Sequence, residues 1–190
     1  MDFYRDDEIK GIFDISGGDI ANGILPYLDY RVIAGSSKTF WGYSDLTTVI
    51  NAIYAKAGKA SVLYQIRNLI YNHGEKQTAS FQNTVLNGGN ELFQIKYRFL
   101  QGTQMQGIVV GGNARCFLKL AGTEFMPDLE GKILLLEGYT GTVPQIETYL
   151  RQLQQLGAFK KAAGILLGTF TQMREQKCTP TVETLVCEIG

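Results

Sequence analysis

The chain has 190 residues, 45% of them hydrophobic and 19% charged, and its 18 basic and 18 acidic side chains leave no net charge. This composition is typical of a folded globular protein and excludes a disordered chain, while the balanced charge argues against a nucleic-acid partner. No apolar run is long enough to cross a membrane, and the acidic residues 1–8 do not form a secretory signal. Three widely spaced cysteines favour a reduced, cytoplasmic setting over disulfides or a zinc site. We expect no metal, cofactor, nucleic acid or membrane partner.

The first third of the chain alternates short apolar runs with glycine-containing turns. Strands are predicted at 10–15, 38–41 and 60–64, and helices at 20–28 and from residue 45 to a glycine stop at 58. This alternation of strand, turn and helix predicts an α/β layer with a largely parallel sheet.

The pattern weakens over residues 67–89, which read as loops. We therefore expect an α/β domain at 1–75, a linker at 76–92 and a second α/β domain at 93–190. In that second domain, apolar runs predict strands at 93–100, 107–110, 132–136 and 163–170. Helices are predicted at 113–120, after a Gly111-Gly112 turn, at 144–156 and from 180.

The segment from Phe40 to Asp45 runs from a predicted strand straight into a helix. A serine on such a turn, here Ser44, is held at the edge of the sheet, where the first N–H groups of the helix can stabilise an oxyanion. The Gly-x-Ser-x-Gly pattern of a nucleophile elbow is only partly present, since Leu46 occupies its last position. On spacing alone, capping of the helix by Ser44 or Asp45 is the more common arrangement.

Other polar positions have equally open interpretations. Gly17-Gly18 can form either an anion cradle or an ordinary turn, and Asn113 can be a simple helix cap. Glu137 follows an apolar strand, and open α/β sheets place their sites at that end, although such residues are often only solvated. His73 is the one histidine of the chain and lies in a polar stretch, so a surface position is its simplest interpretation.

Four segments in order carry a family resemblance: 12–30 with Gly17-Gly18 and Leu25-Pro26-Tyr27-Leu28-Asp29-Tyr30, 38–58 with Gly42-Tyr43-Ser44-Asp45, 107–123 with Gly111-Gly112-Asn113, and 127–170 with Leu135-Leu136-Glu137. Together they resemble the LD-carboxypeptidase family of serine peptidases, which includes the microcin C immunity peptidases. The resemblance implies part of a parallel-sheet amino-terminal domain followed by part of an α/β carboxy-terminal domain.

The resemblance also implies a Ser–Glu–His triad with Ser44 as nucleophile and Glu137 as the orienting carboxylate. The N–H groups of Asp45 and of the Gly17-Gly18 turn would form the oxyanion hole. The substrate would be a small peptide with an amide bond next to a free carboxylate, as in the L,D bond of cell-wall tetrapeptides, or a peptidyl nucleotide in the immunity branch. His would take the serine proton while Glu fixes its tautomer.

The sequence departs from the family pattern at its only histidine. The family histidine follows the glutamate, whereas no histidine follows Glu137 here, and His73 lies between Ser44 and Glu137. We therefore expect a chain truncated at both ends, which is either a serine carboxypeptidase completed by further chain or an inactive, ligand-binding remnant. Unpaired sheet edges in such a chain predict a homodimer.

Overall fold

Two parallel sheets of three strands each form the framework of the computed structural model, which describes residues 1–71 and 74–190. In the first sheet the order is β1-β2-β3, and in the second it is β4-β5-β6. The strands are β1 (Gly11–Phe13), β2 (Thr39–Gly42), β3 (Val62–Leu63), β4 (Val109–Asn113), β5 (Ile133–Gly138) and β6 (Gly164–Phe170). The α/β class with a parallel sheet in each half is confirmed.

Helices connect the strands, as parallel pairing requires. They are α1 (Asp2–Arg5), α2 (Tyr30–Gly35), α3 (Thr47–Ala57), α4 (Gly74–Leu86), α5 (Ala114–Leu118), α6 (Val143–Gln155), α7 (Ala158–Lys161), α8 (Thr171–Glu175) and α9 (Val182–Ile189). Short 3-10 turns lie at Ala21–Tyr27, Ser44–Leu46, Ile66–Leu69 and Glu91–Phe93. None of the helices in the described parts of the chain has the length and apolarity needed to span a membrane.

One continuous apolar core joins the two sheets. It contains Ile33 and Ile53 from the first half and Phe117, Leu134 and Leu150 from the second, all of them at most 1% exposed. Helix α6 shows how the sequence specifies such a position, because Ile146, Leu150 and Leu153 share its buried face. The N–H of Thr142 donates to the Gln145 side chain at its start, and a left-handed Gly157 follows its end.

Three predictions of local structure are wrong. Residues 67–89 contain helix α4, because Phe81 on this mostly polar helix packs against Phe13, Trp41 and Tyr64. The predicted strand at 93–100 has no strand partner among the described residues and is largely exposed. The predicted Gly111-Gly112 turn is instead part of β4. The division into two domains with a linker at 76–92 stays a prediction.

Candidate active site

Ser44 lies at the sharp turn between β2 and α3. Its φ angle is 54°, a left-handed conformation that costs energy for a residue with a side chain. The N-cap residue of the 3-10 turn is Tyr43, and that of α3 is Leu46. Neither makes a side-chain hydrogen bond that caps its helix. Capping by Ser44 or Asp45 therefore does not describe this turn, and a strained serine between strand and helix has the geometry of a nucleophile elbow.

The Gly17-Gly18 turn lies against Ser44. A Cβ atom added to Gly17 would be 3.5 Å from the Cβ of Ser44, and both glycines have positive φ angles, 68° and 143°. The Asp14 carboxylate holds the turn by accepting a 2.8 Å hydrogen bond from the N–H of Gly17. That N–H is thus already donated, which leaves the N–H groups of Gly18 and Asp45 as the remaining candidates among the predicted oxyanion donors.

The Asp45 side chain is completely buried and connects three elements. Its carboxylate accepts a 2.7 Å hydrogen bond from the N–H of Ala21 and forms an ion pair with Lys119, whose side chain is 20% exposed. Burial raises the pKa of Asp45, but the hydrogen bonds from Lys119 and Ala21 and the positive charge of Lys119 outweigh burial and lower it overall. The side chain of Asp45 therefore anchors the turn to Ala21 and Lys119.

Glu137 lies near the end of β5, opposite Asn113 of β4 in the strand register. The pairing with β6 shifts between Leu136 and Gly138, and such irregularities redirect side chains at the ends of strands. Gly168 of β6 lies so close that an added Cβ would be 2.9 Å from the Cβ of Glu137. Burial raises the pKa of Glu137, and a hydrogen bond from the Asn113 side chain partly opposes that shift.

A polar seam, formed by Thr47 and Asn51 of α3 with Gly111 and Asn113 of β4, joins the two halves beside these residues. The Asn51 side chain donates to the carbonyl of Gly111 and accepts from its N–H, both at 2.8 Å. The hydroxyl of Thr47 accepts from the N–H of Asn113 at 3.1 Å. Ser44 is three residues from Thr47, and Glu137 is the register partner of Asn113, so the seam brings both predicted site residues to one junction.

Sequence reasoning did not single out Thr47 and Asn51 as part of the site. Their signal was two polar residues four positions apart, and therefore on one face, of a helix whose other face is apolar, and both are at most 1% exposed in the structure. The Asn113 side chain accepts from the N–H of Cys116, so it does cap α5. His73 lies outside the described residues. Within the described ranges, no three histidine, cysteine or acidic side chains are grouped as metal ligands.

Comparisons with known proteins identify the family to which the chain is similar. The family model described as "LD-carboxypeptidase N-terminal domain" matches residues 1–64, and that described as "LD-carboxypeptidase C-terminal domain" matches residues 106–189. A Bacillus subtilis protein named "Probable murein peptide carboxypeptidase" is 30% identical over 186 residues, which cover 89% of this chain and 54% of that protein. The Escherichia coli "Microcin C7 self-immunity protein MccF" is 27% identical, with 85% of this chain and 56% of that protein covered.

Solved structures share the fold. The muramoyltetrapeptide carboxypeptidase from Oxalobacter formigenes superposes with a TM-score of 0.73 at 26% identity, covering 90% of this chain and 59% of that one. The chain spans a little over half the length of the two curated relatives that it matches here, 54% and 56%. The two family models together cover both sheets, including the Ser44 turn and the end of β5. The chain belongs to the LD-carboxypeptidase family.

Proposed function

We propose that this chain carries the nucleophile and the orienting carboxylate of an LD-type serine carboxypeptidase. The observation that carries the proposal is the left-handed backbone of Ser44, φ 54°, on a strand-to-helix turn beside Gly17-Gly18. Strain of this kind persists where the surrounding structure enforces it, and it is common at active sites. The hydroxyl of Ser44 is then held beyond the end of the strand, where a substrate carbonyl can approach it.

The chemistry is acyl transfer. A general base takes the proton of Ser44 as its Oγ attacks the carbonyl carbon of the scissile amide. The negative charge that develops on the carbonyl oxygen is stabilised by the N–H groups of Asp45 and Gly18, while the N–H of Gly17 is retained by Asp14. The protonated base then donates this proton to the amine of the departing residue, and water hydrolyses the acyl-enzyme.

Glu137 is the carboxylate that orients the base in this proposal. Its environment is partly desolvated, which is why its pKa is raised, and an ionised carboxylate there interacts strongly with an imidazolium. The family resemblance assigns the base to histidine, and His73 is the single histidine of the sequence. A base supplied in solution therefore offers a separate test of whether Ser44 and its oxyanion donors are competent.

We propose an amide bond next to a free carboxylate as the bond that is cleaved, with the L,D bond of a cell-wall tetrapeptide as substrate. The names of the Bacillus and Oxalobacter relatives support this choice. The immunity relative supports a second substrate class, peptidyl nucleotides, because a structure of that protein is described as a complex with aspartyl sulfamoyl adenosine.

The test is D-alanine release from an L,D-tetrapeptide by this chain, Ser44→Ala and Ser37→Ala, each with and without added imidazole. Ser37 is an exposed serine outside the turn and provides the matched control. We expect Ser44→Ala to lose at least about 10³-fold of the wild-type rate. Release of aspartate and sulfamoyl adenosine from aspartyl sulfamoyl adenosine, followed by chromatography, distinguishes the two substrate classes. If neither substrate shows Ser44-dependent release even with imidazole, the chain is an inactive or ligand-binding member of the family.

We further propose a homodimer and a cytoplasmic location. The location is supported by three free cysteines. The dimer is supported by a groove of about 700 Å³ along β6 and α9, lined in part by residues 95–105. Ile95 and Tyr97 are 56% and 66% exposed there. Lys96 and Arg98 line the same groove as Glu183, so two copies related by a twofold axis can place opposite charges against each other.

A further inference from the structure

The seam lies between the two residues whose separation matters most for the proposed chemistry. Ser44 belongs to the turn that precedes α3, and Glu137 belongs to the central strand of the second sheet. Acyl transfer requires the nucleophile and its partner groups to be held within fractions of an ångström. Some contact between α3 and the second sheet must therefore fix their relative position.

Thr47 provides one such contact. Its hydroxyl accepts from the N–H of Asn113, and Asn113 is the register partner of Glu137 on the neighbouring strand. The approach is close because Gly112 has no side chain: an added Cβ would be 2.8 Å from the Oγ1 of Thr47. A glycine is thus required where the helix contacts the strand, and this contact leaves no room for the strand to move toward α3.

Asn51 completes the contact one helical turn later. It uses both ends of its amide on Gly111, and it also donates to the carbonyl of Thr47 at 2.7 Å. Two hydrogen bonds from one planar amide fix both the orientation of α3 relative to β4 and the distance between them. Because both side chains are buried, sliding of α3 along β4 would leave polar groups without partners, at a cost of about 1–3 kcal/mol for each group.

We infer that Thr47 and Asn51 are positioning residues, which lock α3 to β4 and thereby set the separation of Ser44 from Glu137. This inference rests on the proposed function of those two residues. A purely structural seam would contribute stability only, whereas a positioning seam also controls the environment of Glu137 through Asn113.

The experiment compares wild type, Thr47→Val and Thr47→Ser. Valine keeps the branched shape and removes the hydroxyl, while serine keeps the hydroxyl. The pKa of Glu137 is read from its side-chain carboxyl carbon in an NMR titration, with assignment by Glu137→Gln. We expect Thr47→Val to shift that pKa by about 0.5 or more, because Asn113, the strand partner of Glu137, is no longer held by the Thr47 hydroxyl, and Thr47→Ser to restore it.

A kinetic measurement adds a second readout. If the wild type hydrolyses its substrate, we expect Thr47→Val to have a kcat about tenfold lower than wild type with little change in KM. Thr47→Ser should recover the wild-type kcat. If the wild type shows no turnover even with added imidazole, the proposed function fails, while the NMR comparison still decides the positioning role.

Thr47→Ala is the second variant, used if Thr47→Val does not fold, because alanine also removes the hydroxyl but leaves space for water to reach the N–H of Asn113. Equal Glu137 titrations in wild type and in the folded Thr47 variants, with only a lower melting temperature, would overturn the inference.

Discussion

At one edge of the second sheet, β4 meets the side chains of Thr47 and Asn51; at the other edge, β6 borders a groove and has no further strand beside it among the described residues. The closed edge is polar, and both ends of the buried Asn51 amide have hydrogen-bond partners there. The open edge exposes the apolar side chains of Ile95, Tyr97, Phe99 and Leu100. The edge near the predicted site residues is therefore held in place by specific hydrogen bonds. The opposite edge leaves apolar surface exposed, which is the surface proposed here for dimerisation.

The largest change in stability is expected for a substitution at the closed edge, which tests the difference between the two edges. Asn51→Ala removes three hydrogen bonds and leaves the buried N–H and carbonyl of Gly111 without their side-chain partner. We expect a loss of about 3 kcal/mol in the free energy of unfolding, measured by urea denaturation. Asn22→Ala, at an exposed position in a 3-10 turn, is the matched control and should change stability by less than about 0.5 kcal/mol. Equal effects of the two variants would show that the seam is not tightly coupled.

An intermediate effect concerns pH. The raised pKa of Glu137 means that its stabilising contribution is full below the unfolded-state pKa and is lost as pH rises through the folded-state pKa. Glu137→Gln should thus gain stability relative to wild type between acid and neutral pH, with a slope of at most about 1.4 kcal/mol per pH unit.

Asp45 gives the opposite sign and serves as the control for that titration. Its lowered pKa contributes stability above the unfolded-state pKa, and this contribution is lost as pH falls toward the folded-state pKa. The stability deficit of Asp45→Asn relative to wild type should therefore shrink in acid. Urea denaturation at several pH values measures both variants, and parallel trends would contradict the environments described here.

The smallest effect on folding is expected at the open edge. Tyr97→Glu places charge among exposed apolar side chains, so it should shift a dimer to monomer by light scattering while changing monomer stability by less than about 0.5 kcal/mol. Tyr27→Glu alters another exposed tyrosine outside the groove and should leave association unchanged. A wild-type chain that is monomeric at high concentration would contradict the dimer proposal.

Much of the framework was predictable because its signals are local. Apolar runs, glycine stops and the pattern of α6 predicted most strands and the main helices, and the turn at Ser44 was visible as strand-turn-helix. Helix α4 was missed because its polar sequence resembles a loop, and its contact through Phe81 is tertiary. The run at 93–100 looked like a strand, but pairing depends on a neighbouring strand that no local pattern reveals.

The places of the two predicted site residues could be read locally, because Ser44 follows β2 and Glu137 lies near the end of β5. Their roles stay a prediction. The seam could not be predicted from the sequence, because its hydrogen bonds join residues that are 60 and 66 positions apart along the chain. Only the packing of α3 on β4 shows that a buried asparagine meets a glycine carbonyl.

The left-handed conformation of Ser44 has a consequence for protein engineering. Glycine adopts such angles without steric cost, whereas serine gives up about 1 kcal/mol or more to hold them. A search for more stable variants would therefore favour glycine at residue 44 and would discard the hydroxyl in doing so. Screens for higher stability of this chain would therefore select against its proposed nucleophile. At this turn, a gain in the free energy of unfolding comes at the cost of the reactive hydroxyl.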